Sequence, residues 1–318
     1  MTVRAVRGVR VKQRRMEKTV FGVFLTAAVA CTCLTFGQKK NQPAVPKSAV
    51  HLEFRALVPG EVIKASVESA SGIKRAQIRF DGNVYSMGKE RAEGTLFALV
   101  GLDLDLKPGT YPVVFTVVYD DGQFEHIEKE IRVLSKVFPL KKLRVDERYV
   151  APPPEVLQRI REESEILKTV YAIVTPLWMG AGAFILPSEG EPVPNFGERR
   201  IFNGEPRGAH GGIDISSPFG TPVVASNSGK VVLASDLYFA GKTVIIDHGL
   251  GIFTLYCHFS RFRVKRGDLV RKGSIVGEIG ATGRVTGPHL HWAVKIQGNR
   301  VDPFSLINLN FPPVANPE

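Results

Sequence analysis

Two periods of hydrophobic and polar positions run along the chain, and the change from one to the other divides it. From residue 48 the period is two. His51-Leu-Glu-Phe-Arg-Ala-Leu-Val and Ile63-Lys-Ala-Ser-Val-Glu alternate as half-buried strands do. Ile73 to Phe80 runs into an Asp81-Gly82 turn followed by Val84-Tyr85. Leu96 to Leu99, Tyr111 to Tyr119 and Phe124 to Val133 follow, with turn signals at Pro108-Gly109 and Asp121-Gly122. About seven short strands at regular spacing predict an immunoglobulin-like β-sandwich over residues 48–137. Nothing in it reads as catalytic, and its expected role is a spacer or an interaction module.

Residues 138–183 read as a connector. Within it the period lengthens, and Val156, Ile160, Leu167, Val170, Tyr171 and Val174 recur at helical spacing behind a Pro152-Pro-Pro-Glu opening. The expected helix covers about 154–174, ends near Thr175-Pro176, and is read as a strut between two domains. From Phe184 to about residue 310 the pattern returns to short strands, now dense in glycine. They are Pro222 to Ser226, Lys230 to Ser235, Thr243 to Asp247, Phe253 to His258, Ser274 to Ile279 and Leu290 to Ile296. The expected fold class is therefore mainly β, with an N-terminal sandwich, a linking α-helix and a C-terminal glycine-rich β-sandwich.

The first 37 residues fit neither pattern. Residues 1–18 carry seven basic side chains against Glu17 alone, a local charge of +6 out of the formal +11. Residues 19–37 are apolar and uncharged, the signature of an export signal or a membrane anchor. Three fates stay open: cleavage near Ala28-Val-Ala or Thr35-Phe-Gly, lipidation at Cys31, or retention as an anchor. All three place the remainder outside the cytoplasm, in the periplasm or cell envelope, with the basic end on the cytoplasmic side. The polar, proline-bearing residues 38–47 read as a linker. The remaining +5 suits a polyanionic wall or membrane surface, and no basic-aromatic pattern points to nucleic acid. Apart from Cys31 and Cys33, Cys257 stands alone, so no disulfide is expected.

The candidate chemistry lies in histidines. Five of the chain's seven fall between His210 and His291. His210 and Asp214 are spaced H-x-x-x-D, and His289 and His291 H-x-H. Residues two apart on a strand share a face, so both histidines of the second pair can aim at one point if Leu290 and Trp292 face the other way. Imidazole and carboxylate are ordinary zinc ligands, and a catalytic zinc keeps three of them plus an open position. His258, in Tyr256-Cys-His-Phe, is a third candidate. His248, beside Gly249, is read as a turn histidine. There is no phosphate-binding glycine loop, and no H-E-x-x-H to place a glutamate base beside a metal.

These runs together resemble the lysostaphin/LytM-type zinc peptidases. His210-Gly-Gly-Ile-Asp214, Pro218-Phe-Gly-Thr-Pro-Val, His248-Gly, Tyr256-Cys-His258-Phe, Gly267-Asp-Leu-Val, Gly280-Ala-Thr-Gly and Gly287-Pro-His289-Leu-His291-Trp fall in that family's order, over about residues 196–306. The resemblance implies a β-sandwich of the duplicated hybrid motif and hydrolysis of peptide bonds in bacterial peptidoglycan. It implies one zinc ion held by His210, Asp214 and His291, with His258 and His289 as catalytic histidines. Phe259 stands where the family often has leucine, and Ala209 precedes the first ligand; neither change removes a reacting group. One of His258 and His289 would act as base and the other, protonated, would stabilise the oxyanion; which does which stays open. Arg200 and Asn203 are candidates for the substrate groove, and Tyr256, expected on the face of His258, for an added hydrogen bond. The expected partner is peptidoglycan, with other envelope proteins on the N-terminal sandwich and the membrane at the N-terminus. The alternative is a silent or latent module of the same fold that binds peptidoglycan and regulates another wall hydrolase, latency arising if the 184–206 segment covers the groove.

Overall fold

A computed structural model describes residues 47–89 and 95–311. The expected signal or anchor, and the linker up to residue 46, lie outside these residues. No helix among the described residues is long and apolar enough to cross a membrane.

The N-terminal strands are β1 (Ser48–Phe54), β2 (Val62–Ser69), β3 (Ile73–Phe80), β4 (Asn83–Ser86), β5 (Gly88–Lys89), β6 (Thr95–Gly101), β7 (Gly109–Tyr119) and β8 (Phe124–Val133). They form two antiparallel four-stranded sheets, β1-β2-β6-β5 and β4-β3-β7-β8. Alternation decides the second sheet. Ala76, Ile78 and Phe80 of β3, and Val113, Phe115, Val117 and Tyr119 of β7, are buried, while Arg75, Gln77 and Arg79 face solvent. Strand β6 does not alternate, and every residue from Leu96 to Gly101 is buried. A continuous apolar run is what a strand covered on both faces requires. One face of that sheet meets the other sheet of the sandwich, and the second meets the C-terminal domain. Phe97 packs edge-on to Trp178 and Phe311, at 5.4 and 6.0 Å between ring centroids. The Val62 amide donates to Ser305 Oγ at 2.8 Å. One hydrophobic core consequently runs through both β domains.

The connector carries β9 (Leu140–Leu143) and α1 (Leu157–Tyr171), the latter preceded by a 3₁₀ turn at Pro154–Val156. The helix was expected as a strut between domains, but its buried side chains lie elsewhere. Val170, flanked by Leu167 and Tyr171, packs on Leu233, Leu237, Ile245 and Phe253 of the C-terminal sheet. Leu157 and Ile166 of the same helix stay exposed.

The C-terminal strands are β10 (Glu191–Val193), β11 (Arg199–Phe202), β12 (Glu205–Ala209), β13 (Gly212–Ser216), β14 (Pro222–Val224), β15 (Gly229–Leu237), β16 (Gly241–Asp247), β17 (Ile252–Phe262), β18 (Leu269–Val270), β19 (Ile275–Ile279), β20 (Leu290–Ile296) and β21 (Asn299–Val301). A short helix, α2 (Pro303–Ile307), follows. The main path of the large sheet runs β10-β13-β20-β17-β16-β15-β18. A small sheet, β12-β11-β9, stands beside it, with β9 and β11 parallel.

Candidate metal centre

Three adjacent strands, β13, β20 and β17, carry the centre. Register places Asp214 opposite His291, and His291 opposite Cys257. Leu290 and Trp292 are fully buried on the far face of β20, as the alternation predicts. Close approach of β13 to β20 depends on Gly212: a Cβ there would lie 2.4 Å from the Trp292 carbonyl oxygen and 2.7 Å from Ala293 Cβ. His210 enters from the end of the β11–β12 hairpin.

The three side chains converge on one point. His210 Nε2 lies 2.8 Å from His291 Nδ1, and each lies 3.1 Å from Asp214 Oδ1. The His210 ring donates from Nδ1 to the Asn195 carbonyl at 3.0 Å, which leaves the Nε2 lone pair facing the other two atoms. Three electron-pair donors facing one another fit a cation. Zinc bonds of about 2.0–2.2 Å give a tetrahedral face with edges of about 3.3–3.6 Å, so this triangle needs to open by about 0.2–0.8 Å along its edges. The donor set, two imidazoles and one carboxylate, suits zinc.

The second oxygen of Asp214 is held from behind. Asn195 Nδ2 donates to Oδ2 at 2.9 Å and Arg200 donates to it at 3.1 Å. The Asp214 amide donates to Asn195 Oδ1 at 3.2 Å. Burial alone would raise the Asp214 pKa, but the adjacent His210 and His291 rings outweigh it and hold the carboxylate well below its usual range. Burial keeps His291 neutral by lowering its pKa.

His258 and His289 flank the triangle. Their rings are 4.9 Å apart, and His258 is 6.1 Å from the His291 ring. Each donates from Nδ1 to a backbone carbonyl, His258 to Thr282 at 2.8 Å and His289 to Gly287 at 2.9 Å. Each therefore keeps an Nε2 lone pair, and that of His289 lies 3.7 Å from Asp214 Oδ1. Burial, reinforced by His291 and His289, pushes His258 down to about 3, so it is neutral near pH 7.

His258 reaches the centre through a backbone irregularity. Its φ is +67°, and the register of β17 against β16 slips there, leaving Cys257 and His258 both opposite Thr243. Leu255, Cys257 and His258 consequently line one groove, and Tyr256 does not. The expectation that Tyr256 shares the face of His258 is met by a different arrangement: its hydroxyl is buried among Ser226 and Thr254, at 2.8 and 2.9 Å. Beyond Thr254 lies His248, fully buried, with Nδ1 on the Ser228 carbonyl and Nε2 on Thr254 Oγ1.

The groove, of about 410 Å³, is walled by β9 and the β11–β12 hairpin on one side and by residues 239–240 and 284–286 on the other. Arg200 lines it while holding Asp214. Asn203 is not brought to it. Its amide is engaged with Val145 and Glu147, tying the hairpin tip to the connector. Asn195 went unnoticed in the sequence, and no local spacing marks it; only the fold brings it behind Asp214.

Peptidase family M23 matches residues 208–303. The peptidoglycan DD-endopeptidase ShyA of Vibrio cholerae is 43% identical over 109 residues, 34% of this chain and 25% of that protein. The DD-carboxypeptidase/endopeptidase Mpg of Neisseria meningitidis is 44% identical over 97 residues, 30% of this chain and 22% of that protein. The chain thus spans about a quarter of the length of these curated relatives. A crystal structure of a putative peptidase M23 from Pseudomonas aeruginosa is 32% identical, with a TM-score of 0.61. That likeness covers 80% of this chain and 96% of the other, more than the C-terminal domain can supply by itself. With a relative matched over nearly its whole length and the family's region centred on the histidine site, the chain belongs to peptidase family M23.

Proposed function

We propose that the protein is a zinc metalloendopeptidase that hydrolyses peptide cross-links of bacterial peptidoglycan. The observation that carries this reading is the convergence of His210, Asp214 and His291 at 2.8–3.1 Å, with two further histidines beside them on an open groove. Relatives named as peptidoglycan endopeptidases support the substrate class.

Zinc held by the three ligands would supply a Lewis acid that polarises the scissile carbonyl and makes water a nucleophile near neutral pH. The chain supplies the rest. Asn195 and Arg200 fix Asp214 with one oxygen turned to the triangle, and the Asn195 carbonyl fixes the His210 tautomer. Carbonyls of Thr282 and Gly287 do the same for His258 and His289, so each has one nitrogen ready to take a proton. One accepts the proton of the attacking water and passes it to the leaving amine; the other, when protonated, offsets the charge that develops on the carbonyl oxygen. The same reading places the enzyme outside the cytoplasm, where its polymer lies.

The test is mass spectrometry of cross-linked peptidoglycan incubated with the purified protein, beside a chelator-treated sample and Asp214→Ala. Loss of cross-linked fragments in the untreated sample alone is expected. Hydrolysis that persists in Asp214→Ala after the metal is gone would sink the assignment.

A further inference from the structure

Four cationic side chains line the groove: Lys141, Arg200, Arg207 and Arg284. The single carboxylate among its lining residues is Asp214, and both its oxygens are engaged. Three of the cations have partners. Arg200 binds Asp214 and Glu198, Lys141 lies 3.8 Å from Glu198, and Arg207 donates to the Val150 carbonyl at 2.7 Å.

Arg284 differs. Its guanidinium lies over two aromatic rings, 4.7 Å from the centre of Phe202 on one wall and 5.0 Å from that of Phe239 on the other. Such contacts hold the cation in place but do not use its N–H donors. Among the described residues no carboxylate or carbonyl accepts a hydrogen bond from that side chain. Burial and the charges of Arg200 and Arg207 lower its pKa, yet a guanidinium stays protonated across the working range. A half-buried, stacked cation with unused donors, among like charges, is arranged to receive an anion. Arg284 is also placed beside the chemistry, five residues before His289 on the loop that leads into β20.

We propose that Arg284 binds a free carboxylate of the substrate, so that the peptide strand taken by this groove is anionic next to the bond that is cut. The identity of the peptide rests on the hydrolase reading above; the charge preference rests on the groove alone. Two carboxylates can supply that chemistry. One is the α-carboxylate that ends a peptide strand, and the other is the side-chain carboxylate of a diamino acid at the cross-link. An arginine fork pairs with either in a bidentate manner.

The experiment uses the full chain and a synthetic cross-linked peptide in four forms: both carboxylates free, either one amidated, or both amidated. Binding is measured by calorimetry on the metal-free protein, and cleavage on the zinc-loaded protein. Amidating the recognised carboxylate is expected to weaken binding about tenfold or more, the usual scale for a charged hydrogen bond. Arg284→Gln should lose that preference and Arg284→Lys keep part of it. Lys142→Gln, which removes a charge from β9 outside the groove lining, should keep it. Whichever single amidation has the effect names the source. Equal affinity of the wild-type chain for all four peptides, or an unchanged preference in both Arg284 variants, would overturn the proposal, as would failure to bind any form. Preferential binding without cleavage of any form would instead overturn the hydrolase reading and leave the carboxylate site standing.

Discussion

Asn195→Ala should separate the holding of the metal from the ligands themselves. Asn195 makes three contacts behind the centre. Its side chain donates to Asp214 Oδ2 at 2.9 Å and accepts from the Asp214 amide at 3.2 Å, while its carbonyl accepts from His210 Nδ1 at 3.0 Å. The substitution removes the first two and leaves the third, because that contact belongs to the main chain. Asp214 Oδ2 would then rest on Arg200 alone. A hydrogen bond to a charged group is worth about 1.5–3 kcal/mol, which converts to about 10- to 150-fold in affinity. Changes in groups that orient metal ligands cost about 10- to 100-fold. The two routes agree, so zinc affinity should fall by one to two orders of magnitude and not vanish. Folding should suffer separately: the position is 7% exposed, and a buried amide left without a partner costs about 1–3 kcal/mol. Competition against a chromophoric chelator measures the first effect, and urea unfolding with and without zinc measures the second. A zinc Kd within about twofold of wild type in a folded Asn195→Ala protein would refute the reasoning.

His258→Ala and His289→Ala should each lower kcat by about 10²- to 10⁴-fold while the protein retains one zinc, read by metal analysis beside kinetics; loss of the metal in either would make that residue a ligand instead. Gly212→Ala drives a Cβ to 2.4 Å from the Trp292 carbonyl oxygen, so β13 and β20 must part at the register that pairs Asp214 with His291, and both Tm and zinc affinity should fall. His248 is held down to about 4 by burial, against an ordinary value of 6.5. Between those two values the unfolded chain binds a proton that the folded chain refuses, so stability falls as pH drops through that window, by about 3 kcal/mol in all. Urea midpoints at pH 7.5 and 4.5 should show this loss reduced in His248→Asn, and an equal loss in both proteins would contradict it.

Features set by local period were open to reading from the sequence. Alternation across Ala76–Phe80 and Val113–Tyr119 is visible as residues, and each strand presents the face it must bury. The H-x-H pair was legible for the same reason, since period two puts His289, just before β20, on the side of His291 whatever the partner strand. The same rule misplaced Tyr256. It assumes an unbroken strand, whereas β17 carries an extra residue opposite Thr243 and His258 sits at φ +67°. That conformation costs energy for a residue with a Cβ, and it has no signature in composition. Without the bulge, His258 would follow Tyr256 into the sandwich and leave the groove.

Groups that meet through tertiary packing were beyond reach for a different reason. Asn195 lies 19 residues from Asp214, and the expected course of the chain gave no cause to join them. Asn203 was expected in the substrate groove with Arg200, but it sits at the tip of the β11–β12 hairpin. A residue at φ +51° before Gly204 is a turn residue first, and its amide goes to whatever the tip touches, here Val145 and Glu147 of the connector. The helix illustrates the same limit. Its 3.6-residue period identifies an apolar face around Val170, but a face does not say which sheet covers it, and two were available. Leu233, Leu237, Ile245 and Phe253 form an apolar patch on the outer side of the C-terminal sheet, and α1 covers it. With that surface satisfied by the helix, the sandwich is left to meet the C-terminal domain directly through β6, which is why its apolar run shows no alternation.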